Sequence, residues 1–301
     1  MRSTVKTEKA ETIVPIEYHA DDYGLFPEQS KRILDCRLKG LLNGVSVIPN
    51  STDLAVCMEM LRPYQKDITV TIHLNLIEGR SLCDPRDIPL LTYANGILHV
   101  SFGNLLLHSF LPDRNTYRTQ LKKEIRAQIR AVLPFLEEGS PLRLDGHAHY
   151  HMLPVVFDAL MDVIREDSLS VSYIRIPKEF PRVYLRHWKQ LRDFSPINLV
   201  KVAVLNILGN RNLRKYRGYL DTLEQRVFLG VFLSGRMYRE NVALILPEAS
   251  RLAEKRHCAV EILAHPGGVY EAEDIARLTH PDDISFLTSE NRQKEAAMFR
   301  I

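Results

Sequence analysis

No stretch of this chain approaches the roughly 18 consecutive apolar residues that a membrane span needs. Its first residues, MRSTVKTEKAET, also lack the apolar core of an export signal. A membrane partner is therefore not expected, and a cytoplasmic location is. Cysteine is scarce and scattered: Cys36, Cys57, Cys83 and Cys258 form no CxxC pair, which argues against a disulfide framework and against a cysteine zinc site. Charge of one sign is lacking too. The net charge is +3 over 301 residues, with acids and bases interleaved, so no nucleic-acid partner is implied. The one basic cluster, Arg211, Arg214, Lys215 and Arg217, reads as a solvated helix face. There is no internal repeat and no Gly/Ser linker, so one domain is expected over residues 1–301. A hydrophobic content of 45% suffices for a sizeable core.

Short β-branched runs bounded by Gly, Pro or Asn predict strands at Ile13–His19, Val45–Pro49, Ile68–Leu76, Leu142–Gly146, Val171–Ile176, Val227–Leu233 and Ala259–Ala264. Between them, apolar residues three or four apart predict helices at Glu28–Leu38, Leu54–Leu61, Tyr117–Leu136, Val155–Arg165 and Asn241–Lys255. Alternation of this kind favours an α/β fold with a parallel sheet. About seven repeats favour a closed or nearly closed (β/α) barrel of seven to eight strands, with an open doubly wound sheet as the alternative. Two stretches break the rhythm, at about 79–116 and 178–225. The second reads as a helical insertion, and such insertions commonly wall an active site.

In parallel α/β folds the chemistry sits where strands end. The first predicted strand ends in HADDYG, with the adjacent acids Asp21 and Asp22. The third, ITVTIHLNLIEG, places Thr71, His73 and Asn75 on one face. The fourth runs into LDGHAHYHMLP, where Asp145, His147, His149 and His151 share parity and would project together from an extended backbone. The last ends in EILAHPGG, with His265. Taken alone, Asp21 and Asp22 fit the start of a turn and His73 fits a core histidine; three histidines and an aspartate within seven residues are costly to bury unless bound or paired. Acids and histidines at four separate strand ends make a site the better reading.

HADDYG, HLNLIEG, LDGHAHYHMLP and the HP after an apolar strand resemble the motifs of the YdjC-like carbohydrate deacetylases, in matching order over roughly residues 13–173 and again at 261–267. This sequence has His19 where the family usually has Asn, Tyr23 where it has Phe, and Gly146 where it has Ser. The resemblance implies a barrel of the glycoside hydrolase/deacetylase type and hydrolysis of N-acetyl groups on amino sugars or chitooligosaccharides. It also implies a divalent metal ion held by Asp22, His73 and His147, with Asp21 as general base and His265 as the acid that protonates the leaving amine. Asp145, His149, His151, Asn75 and Arg175 would orient ligands or contact substrate. One aspartate and two histidines suit Zn2+, cobalt or manganese, while the family is often found with Mg2+; both Mg2+ and Zn2+ stay open. The expected partner is a small N-acetylated carbohydrate, with a homodimer as an allowed assembly. The alternatives are another metal-dependent amide or ester hydrolase, or a non-catalytic sugar-binding protein of the same fold.

Overall fold

The computed structural model describes residues 14–191 and 195–300. Among them, seven strands form one sheet: β1 (Ile16–Tyr23), β2 (Gly44–Val47), β3 (Thr69–Leu74), β4 (Leu142–Gly146), β5 (Val171–Ile174), β6 (Arg226–Leu229) and β7 (Ala259–Ala264). All neighbours are parallel, in the order β5-β4-β3-β2-β1-β7-β6. The predicted strands at Leu142–Gly146 and Ala259–Ala264 match β4 and β7 in full. Ile13, where the first strand was expected to begin, lies outside the described residues. That strand runs on through Tyr23, so the paired acids sit within it rather than beyond it.

The sheet is curled but not closed, which corrects the expectation of a closed or nearly closed barrel. β5 and β7 stand five places apart in the strand order, a separation of about 24 Å if the sheet were flat. Yet Arg175, just past β5, places its Nε 2.8 Å from Glu261 Oε1 on β7, so the sheet must bend round. At the gap β5 and β6 share no ladder. One backbone hydrogen bond, from Glu224 N to Ser172 O at 2.8 Å, spans it. Side chains do the rest: the Tyr173 ring lies between the guanidinium groups of Arg143 and Arg226, at 4.3 and 5.1 Å. The chain between these edge strands carries helices α6 (Pro181–Leu185), α7 (Pro196–Lys215) and α8 (Arg217–Leu220), and among its described residues no eighth strand completes a barrel.

Five other helices pack along the sheet: α1 (Pro27–Leu38), α2 (Leu54–Leu61), α4 (Arg114–Val132), α5 (Pro154–Glu166) and α9 (Arg239–Arg256). α1, α5, α6 and α7 each begin with proline, which is preset for the first helical turn and has no N–H to leave unpaired. Gly267 lets α1 approach the end of β7, because a Cβ there would lie 2.6 Å from the Gln29 amide. The stretch at 79–116 adds no strand to the sheet. It carries α3 (Phe102–His108) and is tethered by the buried Glu124, whose two oxygens accept from Leu82 N and Cys83 N at 3.0 Å each. After β7 come three short helices that the sequence reading did not assign: α10 (Ala272–Ile275), α11 (Pro281–Leu287) and α12 (Asn291–Met298).

The basic cluster departs from expectation. Arg211 and Lys215 do not simply face water; with Tyr216 and Arg114 they converge on Asp158, a buried acid of α5. Arg214 and Arg217 are exposed as expected. All four cysteines are free, and no helix among the described residues is long and apolar enough to cross a membrane.

The predicted strand Val227–Leu233 stops at Leu229 because the next three backbone N–H groups turn away from the sheet. Gly230, Val231 and Phe232 donate to the carboxylate of buried Glu179 at 2.6–2.9 Å. Replacing Glu179 with Ala would leave those donors unpaired at about 1–3 kcal/mol each, so urea unfolding should show a loss of about 3 kcal/mol or more. A loss under about 1 kcal/mol would mean that the bend is held elsewhere.

Candidate active site

Neighbouring residues on a strand normally point to opposite faces, so two adjacent acids should not share a site. A bulge resolves this. Ala20 pairs with Val45 and Tyr23 with Val47, three steps on β1 against two on β2, and Asp22 takes a left-handed backbone (φ 68°). Such a conformation costs a non-glycine residue about 1–2 kcal/mol. Both acids are then buried and near the same histidine, His73, but in different company.

Asp22 faces two histidines. Its Oδ1 lies 2.9 Å from His147 Nδ1 and 3.5 Å from His73 Nε2. Its Oδ2 is buried with no hydrogen-bond partner. Burial alone would raise the Asp22 pKa, but His147 and His73 hold the carboxyl well below the usual range. Asp21 faces an arginine: both of its oxygens lie 3.0 Å from Arg175 Nη1.

Parallel register supplies the remaining neighbours. β3 and β4 align His73 with Asp145, and His73 Nδ1 lies 2.6 Å from Asp145 Oδ1. Asp145 Oδ2 in turn accepts from Ser46 on β2 and pairs with Arg175. His19 is buried beneath, with its ring nitrogens 2.7 Å from Glu17 and from Ser46. β1 and β7 align Ala20 with Ala264, so His265 follows level with Asp21. Its backbone is clamped by α12, since His265 N donates to Glu295 at 2.7 Å and Arg292 donates to His265 O at 3.0 Å. Burial lowers the His265 pKa against the pull of Asp22, Glu295 and Asp21.

Asp22, His73 and His147 could hold a divalent cation. One donor atom from each falls within 4.8 Å of the others. The unpartnered Asp22 Oδ2 is the atom a cation would satisfy, and a His2Asp set with open positions is the donor chemistry of hydrolytic metal centres. Two other groupings on the inner face, Glu17, His19, Glu261 and His19, Asp21, Asp145, also come close. Their carboxylates are already taken up by Arg143, Arg175 and Arg226, which leaves no uncompensated charge for a cation.

The profile of the YdjC-like protein family matches residues 16–300. The chain belongs to the YdjC-like family. It is 25% identical over 270 residues to a carbohydrate deacetylase of Xenopus laevis, covering 88% of this chain and 85% of the relative. It is 28% identical over 163 residues to a chitooligosaccharide deacetylase of Yersinia pestis, covering 52% and 58%. In fold it is similar to a solved Enterococcus faecalis protein provisionally assigned to cellobiose-phosphate cleavage. That match has a TM-score of 0.60 at 14% identity and covers 96% and 97% of the two chains.

In this YdjC-like chain the expected fan of histidines after β4 does not form. The strand ends at Gly146 and residues 147–152 coil into a short helical turn, with Ala148 (φ 46°) and His149 (φ 60°) left-handed. Parity therefore stops counting at His147. The His149 ring packs edge-on against His151 and Phe228, and His151 Nε2 donates to the Arg175 carbonyl at 2.8 Å. Burial lowers the pKa of both, that of His151 to about 4. Gly146 suits this turn, because a Cβ there would meet the His151 ring at 2.9 Å. Asn75 is turned into the loop after β3: its Oδ1 accepts from Ile77 N and Glu78 N, and its amide donates to Asn50 and to the Glu78 carbonyl.

Sequence reasoning missed Ser46, Glu295 and Asp283. Ser46, a polar residue inside the buried GVSV strand, left a visible signal. Glu295 and Asp283 sit on helices after β7, where nothing in the pattern ties them to strand ends.

Burial would lower the His73 pKa, but Asp145 and Asp21, with hydrogen bonds to Asp145 and Asp22, raise it from 6.5 to about 9. A raised folded value means that its stabilising charge is complete below the unfolded pKa and is lost as pH rises towards about 9. A cation at Nε2 must displace that proton. In chelator-treated protein near neutral pH, Zn2+ binding should release at least about one proton and tighten at least about tenfold per pH unit, because, against burial, Asp283 and Asp22 raise the His147 pKa as well. Calorimetry in two buffers of different ionisation enthalpy reads the release; binding without proton release would contradict the assignment.

Proposed function

We propose that this chain is a metal-dependent carbohydrate N-deacetylase, hydrolysing the acetamide of an amino sugar or a short chitooligosaccharide to acetate and a free amine. The observation that carries the reading is the division of labour between adjacent acids: Asp22 joins two histidines while Asp21 is withheld by Arg175. Membership of the YdjC-like family and the names of the relatives support the reaction class.

A divalent cation held by Asp22, His73 and His147 would supply Lewis acidity towards an amide carbonyl and make a nearby water easier to deprotonate. Two imidazoles and a carboxylate suit Zn2+, with Mg2+ the second candidate. The protein side chains do the proton work. Asp21, kept in place by Arg175 Nη1, accepts the proton of the attacking water. His265 gives a proton to the departing nitrogen, since an amine anion is a very poor leaving group. Burial lowers the His265 pKa, so the imidazole first takes up a proton, from solvent or from the Asp21 carboxyl protonated in the preceding step, and then gives it to the departing nitrogen. The stretches at about 79–116 and 178–225 are the proposed walls of the sugar-binding cleft.

The direct test is acetate release from N-acetylglucosamine oligomers with Zn2+ or Mg2+ added. Sugar binding without acetate under either metal would overturn the enzyme reading in favour of a binding protein. Asp21→Asn should keep its metal and lose on the order of 10² to 10⁴ in kcat; loss of metal in Asp21→Asn but not in Asp22→Asn would exchange the two roles. His265→Ala should lose most amide hydrolysis and much less of the hydrolysis of a nitrophenyl acetate, whose leaving group needs no proton. Equal losses on both substrates would remove His265 as the acid.

A further inference from the structure

His147 has a carboxylate at each end of its ring. On one side Nδ1 meets Asp22, and His73 lies on that same side. On the other, Nε2 lies 3.0 Å from Oδ2 of Asp283, which arrives from α11, 136 residues further along the chain. This is not an exposed surface pair: the side chains of His147 and Asp283 are each only 12% exposed. His73 is built the same way, with Nε2 towards Asp22 and Nδ1 on Asp145. Each candidate ligand histidine thus has a carboxylate on the nitrogen facing away from Asp22, but the two carboxylates differ in origin. Asp145 belongs to the sheet. Asp283 belongs to a segment laid across the site after the last strand.

That segment is fixed at several points. The buried Glu78 carboxylate, from the loop after β3, accepts from Thr279 N, Thr279 Oγ1 and His280 N at 2.6–2.8 Å. The Phe286 ring stands edge-on to His265 at 4.9 Å and lies under the Arg292 guanidinium at 3.9 Å. Asp283 therefore reaches His147 from a held position.

We propose that Asp283 is a positioning residue of the metal centre: it fixes the His147 proton on Nε2, leaves the Nδ1 lone pair facing Asp22 and His73, and ties docking of the 277–287 segment to metal binding. A histidine ligand binds through one nitrogen and donates from the other, and the acceptor on the far nitrogen fixes the tautomer, aims the ring and raises its basicity. Because the acceptor sits on α11, the coupling is reciprocal. A cation at Nδ1 strengthens the Nε2–H to Asp283 contact and so favours the docked segment, and docking favours the cation by the same factor. This inference rests on the assignment of Asp22, His73 and His147 as ligands, and its test separates the two.

The test uses the full chain and Zn2+ alone. Asp283→Ala should weaken Zn2+ affinity about 10–100-fold and Asp283→Asn less, because its amide oxygen still accepts a weaker hydrogen bond. Asp282→Asn, the exposed neighbour, should bind as the unaltered chain does. Hydrogen exchange across residues 277–287 should slow on adding Zn2+ in the unaltered chain and not in Asp283→Ala. Should Asp283→Ala fail to fold, the affinity and exchange of Asp283→Asn carry the test. Unchanged affinity in the Asp283 variants, with Zn2+ lost in His73→Ala, would overturn the role of Asp283 and leave the metal site standing. Unchanged affinity in His73→Ala as well would overturn the metal site itself.

Discussion

Arg175 lies just past β5, fully buried, and its guanidinium meets carboxylates from three strands: Asp145 of β4, Asp21 of β1 and Glu261 of β7. These strands come from both sides of an open sheet, so the one cation both closes the curl and arranges the site above it. A buried arginine is costly to desolvate, and its partners hold it charged, well above its ordinary pKa. Removing one partner from such a set typically costs about 3–5 kcal/mol, because the rest is left uncompensated. The same contacts decide chemistry. Arg175 takes both oxygens of Asp21 and shares Asp145 with His73, so the acid given the role of base and the acceptor behind a candidate ligand answer to one side chain.

Three of the five non-glycine residues with left-handed backbone among the described residues lie at the site. Asp22, Ala148 and His149 all adopt left-handed conformations that ordinary residues avoid. Each re-aims a side chain: the bulge at Asp22 turns a strand's alternation into two acids at one site, and the turn at Ala148–His149 removes His149 and His151 from the line of His147. The segment after β7 then encloses the arrangement, with Glu295 and Arg292 holding the His265 backbone and Asp283 on the outer nitrogen of His147. A surface loop would leave these groups to water. Packed helices leave them little exposed, and lower exposure strengthens the charge contacts beneath.

The alternation of the chain was legible because each strand is short, β-branched and punctuated, and because parallel strands bury both faces. That the acids, His73, His147 and His265 come together was legible because strand ends converge in such sheets. Closure was not legible: whether residues 178–225 contain an eighth strand depends on how much chain the helical insertion consumes. The fate of the HAHYH run was not legible either. Parity holds only while the backbone stays extended, and Gly146 followed by two left-handed residues ends it at the first histidine. Asp283 could not be read at all. An acid in the first turn of a proline-initiated helix is ordinarily a companion of the helix dipole, and only the fold brings it to His147.

The two adjacent acids, split by a bulge and an arginine, are proposed to do different work. Anomalous diffraction from crystals grown with Zn2+ tests this division most directly. One metal peak is expected, bound by Asp22, His73 Nε2 and His147 Nδ1, with Asp21 outside the coordination shell and still paired with Arg175. A metal bound by Asp21 with Asp22 turned away, or no peak between these side chains at saturating Zn2+, would contradict it.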